Sequence, residues 1–240
     1  INGGIELTSI SDLTAHGTGL GSSSAYTVGV LNALARYGNK SYSRFNLAND
    51  ACKIEIEMCN HPIGKQDQFA SAFGGLNEII FRKGEVDIIP LNVSTETLER
   101  FSENLLLFDT NIKRRSSSIL KDQRKSYKSK NFKKTLDLLD LIPSFKSSLV
   151  SGDPDDAGVI LNESWKIKKS ITSGISNSKI DDCYSDAMEA GALGGKLCGA
   201  GGGGFLMFYV KEENKRSVRK SLSGLRELKF NFDYEGASIL

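Results

Sequence analysis

Three glycines separated by single residues stand directly before a helical pattern, and this feature most limits how the chain can fold. Residues 17–24 read GTGLGSSS, and from Ser22 to Tyr37 apolar residues recur at the spacing of an amphipathic helix. Glycine permits turns that a Cβ would forbid, and the free N–H groups at a helix N-terminus attract anions. The stretch therefore indicates either a phosphate-binding loop or a tight turn that leads into a helix.

The composition restricts the class of protein. The 240 residues suffice for one domain or two small ones, and the net charge of +2 is that of an ordinary globular chain. No apolar run approaches the roughly 18–20 residues of a membrane span, and no secretory signal opens the chain. The four cysteines form no CxxC pair and there are only two histidines, so we expect reduced thiols in a cytoplasm and no zinc site.

The chain opens at Ile1 with INGGIELTSISDL, a turn followed by an alternating run. The alternation predicts a strand over residues 5–13. No methionine and no lead-in precede this run, so we expect that the start of a longer protein lies upstream.

Periodicity predicts further elements along the chain. A helix is expected from Arg44 to Cys59, with Ala48, Ala51, Cys52, Glu55 and Met58 on one face and Glu57 pointing away. Two strands are expected around Lys83-Gly84, a polar crossing over residues 92–104, and a strand over Leu105–Asp109. The remaining predictions are helices over 113–150, 155–172, 180–192 and 212–224, and strands over 205–210 and 228–234.

Two familiar phosphate-binding motifs do not fit the glycine-rich segments. A dinucleotide-binding fingerprint requires G-x-G-x-x-G between a strand and a helix, but Ser22 occupies the slot of the last glycine. Residues 199–204 have the required letters, yet a strand pattern follows them. A P-loop requires Ser or Thr after Gly-Lys, and Leu197 follows Lys196.

The pattern that does fit resembles the GHMP kinases, the family of galactokinase, mevalonate kinase and homoserine kinase. Residues 19–23 match the second motif of that family, P-x-x-x-G-L-G-S-S-A, with Ala15 in place of its proline. Residues 196–204 match its third motif, K-x-x-G-A-G-x-G-G, ahead of a strand. Residues 64–68, GKQDQ, resemble its G-x-x-D-Q element. The three motifs stand in the family's order, and the first motif, which lies upstream in the family, is absent.

Longer segments resemble kinases of D-glycero-D-manno-heptose 7-phosphate. These segments are 62–77, 105–120, 175–184 and 189–209. The resemblance implies ATP-dependent phosphorylation of the anomeric hydroxyl of a sugar phosphate, on the way to GDP-heptose. The runner-up is another sugar-1-kinase, of the fucose or galactose type. From a different class, a catalytically silent relative could serve as a sugar sensor.

The resemblance also implies which residues act. ATP would contact Gly17, Gly19, Leu20, Gly21, Ser22, Ser23 and Ser24 in the first loop, and Gly199, Ala200, Gly201 and Gly202 in the second. Ser23 and Glu55 would bind Mg²⁺, since Glu55 stands at the family's spacing before Pro62. Asp67 would be the catalytic base, assisted by Lys65 if the segment is extended and both side chains project to one side. Gly64 and Gln68 would contact the substrate.

Each of these residues also has a simpler interpretation. Ser22 could cap the helix, Glu55 could form an ordinary ion pair, and Asp67 could stabilise a turn. Lys65 could be a solvated lysine.

A basic run over residues 113–134 could attract an anionic sugar phosphate or form a solvated helix face. Within it, Arg114 and Arg115 are candidates for the distal phosphate, because guanidinium groups suit phosphate oxygens. Nucleic-acid binding is disfavoured, because only Tyr127 and Phe132 interleave the run and the whole chain is nearly neutral.

The fold implied by the resemblance is α+β in two lobes. Residues 1–97 would form an incomplete N-terminal, nucleotide-binding lobe, and residues 98–240 a ferredoxin-like C-terminal lobe. The expected partners are ATP, Mg²⁺ and a small sugar phosphate, with no nucleic acid and no membrane. The sequence leaves the oligomeric state open.

Overall fold

A computed structural model of the chain describes residues 4–11, 18–112, 119–120 and 131–239. The chain divides into two compact units. The first comprises residues 1–90 together with Asp233–Leu240, and the second comprises Leu91–Phe232. The described residues contain no helix long and apolar enough to cross a membrane.

The helices of the first unit surround a small apolar core. Helix α1 spans Ser22–Tyr37, and α2 spans Arg44–Cys52 after the side chain of Ser43 caps its N-terminus. A π-helical segment, Lys53–Met58, continues α2, and α3 spans Gln66–Phe73. The core consists of Val28, Leu47, Ala48, Ala51, Cys52, Phe69 and Ala72, all buried.

The two strands described in this unit form an antiparallel hairpin. Strand β1 spans Asn77–Arg82 and β2 spans Glu85–Pro90, and they pair in register from Asn77 with Pro90 to Arg82 with Glu85. Gly84 takes a φ of 84° in the turn between them, a conformation that favours glycine. Ile79, Val86 and Ile88 pack against the helical core.

The second unit is built on a four-stranded antiparallel sheet. Strands β3 (Leu105–Asp109), β4 (Gly194–Leu197), β5 (Phe205–Tyr209) and β6 (Arg226–Leu228) lie in the order β4-β5-β3-β6. In chain order this is 2-3-1-4, the arrangement of a ferredoxin-like βαββαβ unit. The expected ferredoxin-like C-terminal lobe is therefore confirmed.

Helices precede and connect these strands. They are α4 (Thr95–Glu103), α5 (Phe132–Val150), α6 (Pro154–Lys169), α7 (Ser178–Glu189) and α8 (Glu212–Ser221). The charges of α6 suit its dipole, because Asp155 and Asp156 lie in its first turn and three lysines lie in its last. Trp165 of α6, at 0% exposure, belongs to the same buried core as Phe108 and Phe208, and its ring lies 6.0 Å from that of Tyr184.

Helix α6 approaches the sheet closely because two glycines lie at the contact. A Cβ on Gly194 of β4 would lie 2.0 Å from the carbonyl oxygen of Gly158 in α6. A Cβ on Gly158 would lie 2.6 Å from Cδ1 of Tyr209. Real Cβ atoms essentially never approach neighbours this closely, so both positions require glycine for the observed packing.

Several local predictions were wrong. Residues 4–11 are exposed and form no strand, and the expected polar crossing over 92–104 contains helix α4. Met58 does not share the buried face, since it is 78% exposed. The last strand ends at Leu228 and not at residue 234. Of the helix expected over 113–150, residues 113–118 and 121–130 lie outside the described residues, and the helix from Phe132 to Val150 is present.

The glycine contact predicts a measurable loss of stability. We expect Gly194→Ala to destabilise the protein by about 1–3 kcal/mol, because the new methyl group overpacks the α6–β4 contact. A loss of that size would lower the melting temperature by about 2–4 °C per kcal/mol in thermal unfolding followed by circular dichroism. Gly224→Ala is the matched control, since a Cβ there meets nothing within 4 Å. Equal melting temperatures for the two variants would contradict this account.

Candidate functional site

The glycine–serine loop ends in a helix N-terminus that no side chain caps. Gly19 and Gly21 take φ values of 73° and 71°, and Gly21 is the N-cap of α1 without a side-chain hydrogen bond. The first intrahelical bond runs from the Ala25 N–H to the Gly21 carbonyl at 2.9 Å. The N–H groups of residues 22–24 precede it and have no partner within the helix. The loop can therefore bind an anion at this end of α1.

Thr18 fixes the entry to this loop. Its hydroxyl is buried, accepts a hydrogen bond from the Leu20 N–H at 3.3 Å, and lies 3.0 Å from the hydroxyl of Ser22. The Ser22 hydroxyl is thus occupied by Thr18. The N-cap residue of α1 is Gly21 and not Ser22, so Ser22 does not have the capping role considered for it. Thr18 was not among the residues expected at the site, although a threonine between two glycines is typical of such a local turn.

Glu55 carries a buried carboxylate below the loop. It is 2% exposed, and the π-helical segment presents it toward α1 and α3. Its carboxylate accepts hydrogen bonds from the hydroxyls of Ser23 and Ser24, the latter at 2.7 Å, and from the Gln68 amide at 2.5 Å. Three donors compensate the desolvation of this charge, so the simple ion-pair interpretation of Glu55 does not apply. Glu57, by contrast, is exposed.

Gln68 lies next to Glu55 and leaves one atom unsatisfied. The residue is 0% exposed on α3, and its amide nitrogen donates to Glu55. Its carbonyl oxygen, Oε1, is buried and has no hydrogen-bond partner among the described residues. Buried polar atoms without partners are rare in folded proteins, so this oxygen marks a place for a further donor or a cation.

Asp67 lies against the loop on the same helix. A Cβ on Gly21 would lie 3.5 Å from both Cβ and Cγ of Asp67, so the loop backbone passes directly over the Asp67 side chain. Burial raises the pKa of Asp67, and the charge of Glu55 raises it further, while a hydrogen bond from Gln66 opposes the shift. A half-buried carboxylate with a raised pKa, at the edge of an anion-binding loop, is a candidate proton acceptor.

Lys65 does not accompany Asp67 as expected. The chain is not extended here: Lys65 is the N-cap of α3, Asp67 lies in its first turn, and the Lys65 side chain is exposed. The charge of Lys65 acts on Cys52 instead, where it partly offsets the burial that raises the pKa of that thiol to about 11. Gly64 is exposed in the segment before α3.

The second glycine-rich loop, between β4 and β5, is held by packing. A Cβ on Gly203 would lie 2.2 Å from the carbonyl oxygen of Ile112, and one on Gly201 would lie 2.8 Å from that of Ile175. The Gly202 N–H donates to the Ile175 carbonyl at 2.8 Å. Gly199, with a φ of 69°, is exposed at the start of the loop, and Ala200 follows it half-buried. Gly199 and Ala200 are therefore the more accessible part of the loop.

Most of the predicted site residues of the first unit lie close together in the structure. Gly21, Ser23, Glu55, Asp67 and Gln68 form one cluster, which Ser24 completes as a donor to Glu55. Gly19, Leu20 and Ser22 belong to the adjoining loop. Gly17, Arg114 and Arg115 lie outside the described residues.

This cluster suits a hard divalent cation. Mg²⁺ prefers oxygen ligands and binds to few protein groups at a time, and the Glu55 carboxylate, the Ser23 hydroxyl and Oε1 of Gln68 offer oxygens at one place. Among the described residues, no group of three or more His, Cys, Asp or Glu side chains could hold a metal ion. A cation here would therefore rely on hydroxyl and amide oxygens beside the single carboxylate.

Comparison with known families matches both ends of the chain. Residues 2–75 match the GHMP kinases N terminal domain, and residues 145–224 match the GHMP kinases C terminal domain. The cluster described above lies entirely within the first match, and the second glycine-rich loop lies within the other.

Two relatives with which the chain shares identity over most of its length are sugar kinases. The chain is 33% identical over 211 residues to the D-glycero-alpha-D-manno-heptose 7-phosphate kinase of Campylobacter jejuni. The matched region covers 86% of this chain and 61% of the relative. It is 29% identical over 243 residues to the galactokinase of Thermococcus kodakarensis, which covers 87% of this chain and 66% of the relative. The chain thus spans about three-fifths of the length of these relatives.

Two solved kinase structures are similar to this chain in fold. A putative sugar kinase from Campylobacter jejuni superposes with a TM-score of 0.68 at 30% identity, covering 91% of this chain and 63% of that one. A D-glycero-D-manno-heptose 1-phosphate kinase from Bacteroides thetaiotaomicron superposes with a TM-score of 0.67 at 26% identity, covering 92% of this chain and 62% of that one. The α+β fold expected from the sequence is confirmed.

The raised pKa of Asp67 predicts how stability changes with pH. The folded state binds the Asp67 proton more tightly than the unfolded chain does, so the stability from this carboxyl is present at acidic pH and lost as the pH rises. At neutral pH the ionised group therefore costs folding free energy. We expect Asp67→Asn to raise the melting temperature at pH 7 and to change it less near pH 4, measured by circular dichroism.

Asp182→Asn is the control for this experiment, because Asp182 is exposed on α7 and lies outside the cluster. A lower melting temperature for Asp67→Asn at pH 7, with Asp182→Asn unchanged, would show that ionised Asp67 stabilises the fold.

Proposed function

The chain belongs to the GHMP kinase family, and on that premise we propose that the protein is an ATP-dependent kinase that phosphorylates the anomeric hydroxyl of a sugar phosphate. The observation that carries this proposal is the cluster around Glu55. A buried carboxylate held by Ser23, Ser24 and Gln68 lies directly below an anion-binding helix N-terminus, with Asp67 against the same loop. Phosphoryl transfer needs these parts: a phosphate cradle, a cation site and a group that orients the nucleophile.

The loop over residues 18–24 would hold the phosphates of ATP. Its left-handed glycines bring the backbone close to a ligand, and the N–H groups of residues 22–24 point along α1 at that ligand. In the second unit, Gly199 and Ala200 would contribute the exposed part of the other glycine-rich loop, while Gly201 and Gly202 shape it from within.

Ser23 and Glu55 would hold Mg²⁺. Their oxygens already lie in hydrogen-bond contact, and the unsatisfied Oε1 of Gln68 lies in the same buried place. Bound Mg²⁺ would neutralise phosphate charge, which is its chemistry in phosphoryl transfer. Gln68 is then a residue that orients Glu55, not the direct substrate contact expected from the sequence.

Asp67 would accept or orient the proton of the sugar hydroxyl. Burial and the neighbouring charge of Glu55 make its carboxylate a stronger base than an exposed aspartate, because both raise its pKa. Most of the rate enhancement would still come from positioning and charge neutralisation. Lys65 stays a weaker candidate, because its side chain is exposed at the start of α3.

D-glycero-D-manno-heptose 7-phosphate is the proposed substrate. Support comes from the 33% identity to the heptose 7-phosphate kinase of Campylobacter jejuni and from the similar segments 62–77, 105–120, 175–184 and 189–209. A fucose- or galactose-type sugar-1-kinase is the second candidate, because a galactokinase matches at 29% identity. The presence of Ser23, Glu55 and Asp67 in one cluster disfavours a silent sugar sensor.

The proposed assignment of the remaining features follows the family. Residues 1–97 would form the ATP-binding domain and residues 98–240 the C-terminal domain, in a cytoplasmic enzyme that acts on small molecules and not on nucleic acid. The boundary between the two compact units lies after Pro90, seven residues before the proposed domain boundary at residue 97. The segment from Asp233 onward belongs to the first unit.

A substrate panel tests the proposal. With ATP and Mg²⁺, we expect the full-length protein to convert heptose 7-phosphate to the 1,7-bisphosphate, measured by ADP release and by ³¹P NMR of the product. Free galactose and fucose are the comparison substrates. Faster turnover of a free sugar would overturn the substrate assignment alone, and no ADP above background with any sugar would overturn the kinase assignment.

Two substitutions separate the proposed cation site from the proposed base. We expect Asp67→Asn to lower kcat by about 10²–10⁴-fold with nucleotide binding largely kept, the range of general acid–base groups. Glu55→Ala should instead weaken use of Mg²⁺ and ATP, because it removes the carboxylate below the loop. Steady-state kinetics at varied Mg²⁺ measures both effects.

Glu57→Ala is the matched control for Glu55→Ala, because Glu57 lies on the same π-helical segment and is exposed. It should keep wild-type kinetics. Turnover near the wild-type value in Asp67→Asn would remove Asp67 from its proposed role.

A further inference from the structure

Helix α6 and strand β4 bring two lysines to one place in the second unit. Side chains alternate along a strand, so Lys196 projects from the same face of β4 as Gly194, the glycine that contacts α6. Cys198 continues this face just after β4, where its N–H still pairs with the Phe205 carbonyl. Lys168 lies in the last turn of α6, above the end of β4.

A contact with the loop after β4 fixes the position of Lys168. Its ammonium group donates a hydrogen bond to the Gly199 carbonyl at 2.6 Å. The charge of Lys196 acts on Lys168, and both lysines act on Cys198, the residue before Gly199, so the two ammonium groups lie near the same exposed turn. Within the part of the chain that the structure describes, no carboxylate pairs with either amine.

The electrostatics of this pair are unfavourable without a ligand. The pKa of Lys168 is lowered to about 8, chiefly by burial and also by the positive charge of Lys196, with an opposing effect from Cys198. Like charges held together in a partly desolvated place cost free energy, and an anion that binds between them would recover it. Neighbouring Lys169 differs, since it pairs with Asp181 at 2.9 Å.

We propose that Lys168 and Lys196, beside the exposed turn at Gly199, form a binding site for a phosphoryl group. An ammonium is a good partner for phosphate oxygens, and the turn leaves the group open to solvent on one side. The origin of the phosphoryl group, either ATP or the phosphorylated sugar, rests on the proposed function. The site itself does not, because inorganic phosphate can probe it without turnover.

Protection from acetylation tests the site in the whole chain. The protein is treated with acetic anhydride with and without inorganic phosphate at constant ionic strength, and mass spectrometry follows acetylation of each lysine of α6. We expect saturating phosphate to slow acetylation of Lys168 about 10-fold, because an amine bound to phosphate must first leave a charge-assisted hydrogen bond. Lys166 and Lys169, on the same helix, serve as internal controls and should react at unchanged rates.

Variants separate an anion site from a purely structural role of Lys168. Lys196→Met should abolish the protection of Lys168, Lys196→Arg should retain it, and Lys169→Met should leave it unchanged. Circular dichroism melts check that each variant is folded. If Lys168 only ties α6 to the loop through the Gly199 carbonyl, phosphate will give no protection in the wild type or in any variant, and that result overturns the proposal.

Two further arms identify the source of the phosphoryl group. ATP and heptose 7-phosphate are each titrated in the acetylation assay, and the ligand that protects Lys168 at the lower concentration is assigned to the site. Protection by inorganic phosphate without any kinase activity would support the site while the proposed function fails. Equal protection of Lys166, Lys168 and Lys169 by phosphate would show non-specific screening and would overturn the site.

Discussion

The buried carboxylate of Glu55 is the interaction on which the first unit depends. A charge at 2% exposure is tolerated only if polar groups replace its lost hydration, and hydroxyls of α1 and an amide of α3 supply them. The three segments that meet at Glu55 are thereby fixed relative to one another. This explains why Ser23 and Ser24 open α1, where alanine would be the better helix former. The hydroxyls bind the carboxylate, and their backbone N–H groups remain available for a ligand.

The π-helical segment and Asp67 show how this arrangement trades stability for reactivity. A π-helical turn is an uncommon way to continue α2, and it often marks a functional position. It places Glu55 close enough to Asp67 for the Glu55 charge to raise the pKa of the second carboxyl. Two carboxylates near one loop repel each other unless a cation lies nearby. The same repulsion that weakens the fold therefore favours binding of a cation.

Periodicity and motif spacing predicted much of this from the sequence. Helix α1 was predicted with its observed bounds, the burial of Glu55 followed from its small-residue neighbours, and Glu57 is exposed as expected. Helix α3 escaped detection because eight residues give little periodic signal, and the supposed extended segment placed Lys65 beside Asp67 incorrectly. The role of Gln68 could not be predicted, because it depends on a contact with a residue 13 positions away.

Glycine has two different roles in this chain, close packing inside a strand and turn formation in a loop. The sequence alone does not tell which role a given glycine has. Strand β4 was missed because Gly194 and Gly195 indicated a loop, whereas glycine at Gly194 allows α6 to approach the sheet. Within the loop after β4, glycine at Gly203 is required by the carbonyl of Ile112. Gly199 alone among these four is exposed and positioned by a lysine. A glycine-rich motif can thus be conformationally demanding throughout while only its exposed end is available to a ligand.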